Sequence, residues 1–153
     1  MDRTHTEKLV TELGSKLGLP DLALGDADSC SLSIDGGSVM VRISYTEETD
    51  MLDLTARLER LAPRPDQMAR ALGLNFCWQA NAGAVFSLDR LSGRLALNRR
   101  SLASDLDLAS FNTALEKLVG HAIAWTKILG DMKGEAAAPA DTAHARVPLG
   151  VRA

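Results

Sequence analysis

Apolar and polar residues recur with two different periods along this chain, and the change of period marks helices and strands. The first segment carries leucines in steps of four from Leu9 to Leu17, and Gly18 follows the last of them. Thr4 and Glu7 precede this stripe with the spacing of a capping box. A repeat close to 3.6 residues between a start signal and a stop signal predicts an amphipathic helix.

The period changes to two in the next segment. Residues 30–34 alternate apolar with polar side chains, and residues 39–45 do so again beyond a Gly-Gly turn, so we predict a β-hairpin. The leucines of residues 51–61 fit a strand by one spacing and a helix by another, and periodicity alone leaves both open. We favour a third strand because the acidic residues 47–50 resemble a second hairpin turn.

The second half of the chain repeats this mixture of periods. Pro65 predicts the start of a short helix that ends at Gly73. Residues 85–88 and 95–97 alternate on the two sides of a turn and predict a second antiparallel pair. Apolar positions then recur at intervals of three and four, which predicts a long last helix that starts near residues 104–105.

The predicted order is therefore helix, three strands, helix, two strands and a long helix, or α-β-β-β-α-β-β-α. Helices packed on one face of an antiparallel sheet give an α+β fold. Residues 1–133 hold all these elements, and the Ala/Pro-rich residues 134–153 show no period, so we predict one domain followed by a flexible tail. A chain of 153 residues has room for a single core.

Composition and charge narrow the classes of protein that this chain can belong to. Hydrophobic residues make up 46% of the chain and charged residues 24%, as in soluble globular proteins. A net charge of -3 gives no general attraction to phosphate backbones, so we expect no nucleic-acid partner. No apolar stretch approaches the ~20 residues of a membrane span, and the first residues lack the apolar region of a signal peptide. We therefore expect a cytoplasmic protein.

Candidate catalytic and metal-binding residues are sparse. The three histidines fall on the first segment, the last helix and the tail, so they indicate no nucleophile-base pair and no metal site. We interpret His121 as a partly exposed helix residue and the acidic clusters as solvated turns. Cys30 and Cys77 lack CxxC spacing, so we expect two reduced, mostly packed thiols.

Two consecutive stretches carry most of a resemblance to a known family. The run GAVFSLDRLSGRLALNRR, from Gly83, is similar to paired strands around a glycine turn in the Tir-chaperone (CesT/SycE-like) family of type III secretion chaperones. The run DLDLASFNTALEKLVGHAIAWTKIL resembles the apolar spacing of that family's last helix. The first helix ending in LGLP and the ARALGLN segment at residues 69–75 are also similar, so the resemblance covers residues 4–132.

The resemblance implies a homodimer that binds an extended segment near the N-terminus of a secreted effector protein, with no cofactor, no ATP use and no catalytic residues. An extended segment can add to a sheet edge through main-chain hydrogen bonds while its side chains fill apolar pockets. We predict effector-binding residues on the first helix and the strands: Val10, Leu13, Leu17, Val39, Val85 and Phe86. We predict a dimer interface on the second helix and its flank: Met68, Leu72 and Trp78.

Three alternatives stay open. The leucine stripe of the first helix is equally explained as core packing on the sheet. The arginines of the second hairpin could meet an acidic stretch of the effector or of the secretion ATPase, although a solvated hairpin face is the commoner explanation. These arginines are Arg90, Arg94, Arg99 and Arg100. Because one fold serves many functions, a same-fold regulatory or interaction domain without an export role is the alternative function.

Overall fold

The computed structural model describes residues 3–134, so the predicted tail lies outside the described residues apart from Gly134. The described chain follows the element order that the sequence predicts: α1 (Arg3–Leu17), β1 (Ser29–Ile34), β2 (Val39–Thr46), β3 (Met51–Leu58), α2 (Pro65–Gly73), β4 (Val85–Asp89), β5 (Arg94–Leu102) and α3 (Leu108–Gly130). A 3-10 segment, Leu74–Asn81, connects α2 to β4. The run that periodicity left ambiguous is a strand, β3, as we favoured.

The five strands form one antiparallel sheet in the order β1-β2-β3-β5-β4. β5 lies between β3 and β4, so β1 and β4 are the two edge strands. Alternate residues of a strand point to opposite faces, and the register puts the apolar sets of β2 and β3 on one face, with Ile43 opposite Leu54. The other face carries polar residues such as Arg42 and Thr55. One face therefore forms the core and the other faces water.

The helices cover the apolar face, which confirms the predicted α+β class. α3 packs across β2, β3 and β5, and α1 packs against α3. Phe111 and Leu118 of α3 and Leu13 of α1 are all almost completely buried in this core. Burying one such side chain contributes roughly 1.5–3 kcal/mol. The shared core therefore holds α1 and α3 in fixed positions on the sheet.

Two helix starts differ from the sequence prediction. α3 begins later than expected because residues 103–105 form a separate 3-10 turn and Asp107 caps the helix. The Asp107 carboxylate accepts the Ser110 N–H at 2.7 Å, and the Asp107 N–H donates to the Ser110 hydroxyl at 3.0 Å. α1 already includes Thr4, so the capping-box pair does not mark its first residue. The predicted bounds of α2 are confirmed.

Among residues 3–134, no helix is long and apolar enough to cross a membrane. The same residues contain no cluster of three or more His, Cys, Asp or Glu side chains that could hold a metal ion. Cys30 is a partly buried free thiol, and burial raises its pKa. Cys77 is an exposed free thiol, so the expectation of a packed side chain is wrong there: the 3-10 segment that carries it runs over the surface.

Candidate functional site

The β1 edge exposes backbone groups with which no other strand of the described chain pairs. The Tyr45 N–H donates to the Asp28 carbonyl at 2.9 Å, and the same register continues along the β1–β2 pair. Backbone groups in an antiparallel pair alternate between facing the partner strand and facing away from it. Asp28 and every second residue after it therefore face β2, and the N–H and C=O groups of Ser31 and Ser33 face the open side of the sheet. Ser29 also faces outward, but its carbonyl accepts a hydrogen bond from the loop after α1.

An apolar groove lies at the end of β1, between α1 and α3, and we call it the α1–α3 groove. It has a volume of about 280 Å³, and its apolar wall is formed by Leu17, Ile34, Leu115, Val119 and Ile123. Leu17 is 42% exposed and Ile123 is 39% exposed. Exposed apolar side chains that are grouped around a concavity mark a surface that a partner can cover.

A second cavity, of about 430 Å³, lies where the loop after α1 passes β1. Leu19, Pro20 and Leu22 of the loop line it together with Leu32 of β1. Both cavities therefore follow the edge that carries the open backbone groups. Side chains on one face of a strand recur about every 7 Å. A segment that adds to β1 can therefore direct successive side chains of one face along this apolar path.

A separate exposed apolar surface is formed by α2 and the 3-10 segment. Phe76 is 92% exposed and Trp78 is 50% exposed. Leu72, near the end of α2, is also exposed, and Met68 is partly buried against the core. We call these four residues the α2 surface. Because monomeric proteins rarely leave large apolar side chains grouped in water, the α2 surface indicates a second contact.

Comparison with protein families identifies this fold. The model of the Tir chaperone protein (CesT) family matches residues 8–126, from within α1 to most of α3. The chain belongs to the Tir chaperone family. The match confirms the resemblance carried by the second hairpin and the last helix.

Individual relatives within the Tir chaperone fold include a regulator and a chaperone. The transcriptional anti-antiactivator ExsC of Pseudomonas aeruginosa is 30% identical over 131 residues, which span 84% of this chain and 89% of ExsC. The crystal structure of the ExsC-ExsE complex matches with 27% identity and a TM-score of 0.76, over 84% of this chain and 97% of that chain. The HopA1-SchA chaperone-effector complex shares the fold at 19% identity and a TM-score of 0.70, over 83% of this chain and 98% of that chain.

In this Tir chaperone family member, four of the six residues predicted to bind effector lie in the core. Val10, Leu13 and Val39 are fully buried, and Phe86 is 3% exposed. α1 packs against α3 and turns Val10 and Leu13 into the core, and the strand residues among the four lie on the face that the helices cover. These side chains therefore offer no accessible surface in this conformation, and the core explanation of the leucine stripe applies to Leu13.

The two exposed members of that set, Leu17 and Val85, lie at different places. Leu17 lines the α1–α3 groove, whereas Val85 lies on β4 at the other edge of the sheet. The structure instead groups Leu17 with Ile34 and Ile123, two residues that the sequence pattern alone does not single out. The apolar face of α3 is broader in sequence than one core stripe, and this breadth is a signal for an accessible apolar residue such as Ile123. The open backbone groups of β1 could not be predicted from residue types, because they belong to the main chain and depend on which strand lies at the edge.

Three of the four arginines around the second hairpin make contacts within the chain. Arg100 pairs with Asp53 at 2.6 Å on the polar face of the sheet, and this carboxylate raises the pKa of Arg100. Arg94 lies 3.5 Å from Glu59, and Arg99 donates to a backbone carbonyl at 2.9 Å. These side chains are used by the fold itself, and contact with a secretion ATPase stays a prediction.

Proposed function

We propose that this protein is a cytoplasmic type III secretion chaperone that binds an extended N-terminal segment of a secreted effector. The observation that carries the proposal is the open β1 edge with two apolar cavities along it. As a homodimer, the protein keeps the effector soluble and competent for export. Membership of the Tir chaperone family supports this function, as does the similarity to ExsC and to a chain of the ExsC-ExsE complex.

Strand addition explains why an unfolded segment is preferred. Each new main-chain hydrogen bond to the outward groups of Ser31 and Ser33 contributes a net stabilisation of about 0.5–1.5 kcal/mol. A folded effector has already paired its own backbone groups, so only an extended segment can form these bonds. The β1 edge thereby selects the unfolded state of its partner.

Apolar side chains must supply the remaining binding energy. Fixing the backbone of a disordered segment costs about 1–2 kcal/mol per residue, and burial in the α1–α3 groove offsets this cost at roughly 25 cal/mol per Å². Bound segments should therefore carry apolar residues at alternate positions. Binding of this kind requires no cofactor, no ATP and no catalytic group.

A regulatory role is the second candidate function. ExsC, at 30% identity, is a transcriptional anti-antiactivator, so the same fold can act on gene expression. In this alternative, the β1 edge sequesters a regulatory protein and the chain has no export role of its own.

The outward-facing backbone group of Ser33 provides a sharp test. Ser33→Pro removes this N–H but no β1–β2 hydrogen bond, because the N–H faces away from β2. An edge strand tolerates proline at such a position. Ser33→Ala is the matched control that keeps the N–H. In the α1–α3 groove, Ile123→Asp introduces a charge, and Ile128→Asp introduces the same charge at an exposed position of the same helix.

Each full-length variant is used to capture proteins from a bacterium that carries a type III secretion system, and mass spectrometry quantifies the bound effector. We expect Ser33→Pro and Ile123→Asp to reduce capture by about tenfold or more, with both controls near wild type. Equal capture by all four variants contradicts the β1 site. If deletion of the gene alters transcription of secretion genes but not effector export, the regulatory candidate is favoured.

A further inference from the structure

The other edge strand, β4, also has residues whose backbone groups face away from the sheet. In the β4–β5 register, these residues are Phe86 and Leu88, the counterparts of Ser31 and Ser33 on β1. An edge strand with two such residues in succession is a template for pairing with another chain. The element order alone would therefore give each protomer two accepting edges.

A single side chain occupies both outward groups of Phe86. The Asn75 Nδ2 donates to the Phe86 carbonyl at 2.8 Å, and the Phe86 N–H donates to the Asn75 Oδ1 at 2.6 Å. The carboxamide thus makes the two contacts that a residue of a neighbouring strand would make. Just before β4, the Ala84 N–H donates to the Asn81 carbonyl at 2.9 Å. Along β4, only Leu88 keeps outward groups that are unpaired within the described residues.

The segment that carries Asn75 is anchored at both ends. At its start, the Leu74 N–H caps α2 by donating to carbonyls of the last helical turn. At its end, the Trp125 Nε1 donates to the Asn81 Oδ1 at 3.0 Å. The Trp125 ring also packs edge-to-face on the Phe86 ring, with centroids 5.8 Å apart. These contacts hold the Asn75 carboxamide against the β4 edge.

We infer that Asn75 closes the β4 edge to strand addition and leaves each protomer with one accepting edge, β1. This inference rests on the proposed function and names the residue that decides where a strand can add. β1 presents two successive outward residues, whereas β4 presents one, so a strand that added to β4 would gain main-chain hydrogen bonds from a single residue. Asn75 acts as a positioning residue: it directs an extended segment to the edge with apolar cavities and prevents two copies from pairing through β4.

The test compares two asparagine variants of the full chain. Asn75→Ala removes the edge contacts, and Asn98→Ala is the control, because Asn98 bonds Thr55 and Ser87 on the polar face of the sheet. Amide hydrogen exchange by NMR follows the Phe86 N–H, and sedimentation velocity follows self-association. We expect Asn75→Ala to accelerate Phe86 exchange roughly tenfold or more and to form species larger than the wild-type oligomer. Asn98→Ala should do neither.

A conservative variant separates the hydrogen bond from packing. Asn75→Asp keeps an oxygen for the Phe86 N–H, so Phe86 exchange should return close to the wild-type rate. Unchanged Phe86 exchange in Asn75→Ala, or association no greater than that of Asn98→Ala, overturns the inference. If Asn75→Ala does not fold, Asn75→Leu gives the same two readouts. If neither variant folds, Asn75 serves stability alone and the inference is overturned. No effector is involved, so such a result leaves the β1 proposal standing.

Discussion

Asp50 joins three parts of the fold through one buried carboxylate. It ends the turn between β2 and β3 in the left-handed region, at φ 54°. Its carboxylate accepts the Tyr45 hydroxyl at 3.2 Å and the Ser104 N–H at 3.1 Å, and its backbone carbonyl accepts the Ala103 N–H at 2.8 Å. Hydrogen bonding to Ser104 lowers the pKa of Asp50, with a smaller contribution from Tyr45 and an opposing effect of burial.

Asp50→Asn keeps the size of the side chain and the tolerance of the left-handed region, but it removes the charge. We expect a lower melting temperature at neutral pH and a difference from wild type that shrinks in acid. The charged carboxyl stabilises the fold above its unfolded pKa of about 3.9 and loses this effect as the pH falls through the lower folded pKa. Thermal melts from neutral pH into acid measure this, with Asp21→Asn at an exposed position as control. A difference that stays constant with pH contradicts the assignment.

Among the secondary-structure elements, α1 and the loop after it shape the β1 edge together. The Leu19 N–H donates to the Gly14 carbonyl at 2.7 Å. A Cβ added at Gly14 would lie 2.6 Å from the Leu19 carbonyl oxygen and 2.7 Å from the Leu22 Cβ. Only glycine permits this close approach, which also brings Leu19 and Leu22 to the cavity beside β1.

We expect Gly14→Ala to lower the free energy of unfolding by about 1–3 kcal/mol, the usual cost of overpacking. This sign is opposite to the helix propensity, which favours alanine by about 1 kcal/mol. Gly120→Ala on α3 is the matched control, because nothing lies within 4 Å of its added Cβ. It should stabilise by about 0.4–1 kcal/mol. Urea unfolding measures both, and equal effects would show that the loop adjusts freely.

For the molecule as a whole, the two apolar surfaces fit two kinds of partner. The α1–α3 groove and the β1 edge fit an extended segment. The α2 surface, with Phe76 and Trp78, fits a second copy, since a two-fold dimer uses the same patch on both protomers. A stable interface of this kind buries about 800 Å² per partner. The homodimer stays a prediction, and the α2 surface is where we expect it.

Phe76→Asp and Trp78→Asp should convert a dimer into a folded monomer, because a charge at the centre of an apolar interface is desolvated without a partner. The melting temperature of each monomeric variant should show little loss of protomer stability, because Phe76 is almost fully exposed and Trp78 is half-exposed in one protomer. Leu91→Asp, at the fully exposed turn between β4 and β5, is the control and should remain dimeric. Sedimentation equilibrium at micromolar concentration measures the state. A monomeric wild type would contradict the predicted dimer.

Local sequence patterns were sufficient for the element order and for most element bounds. The two hydrophobic periods, the Gly-Gly turn and the signals at Pro65 and Gly73 all depend on residues that are close in sequence, so they act before any tertiary contact forms. The start of α3 is the exception. The turn at 103–105 and the cap at Asp107 are only a few residues apart and both resemble a helix start, so local signals do not tell them apart.

Accessibility and edge position were decided by the tertiary structure. Val10 and Leu13 match Leu17 in apolar character, but tertiary packing buries the first two in the core and leaves Leu17 exposed. Strand order put β4 at an edge, and the fold alone placed Asn75 against Phe86, eleven residues later in the chain. Burial and strand pairing depend on groups that are distant in sequence, and no local period encodes which of them will meet.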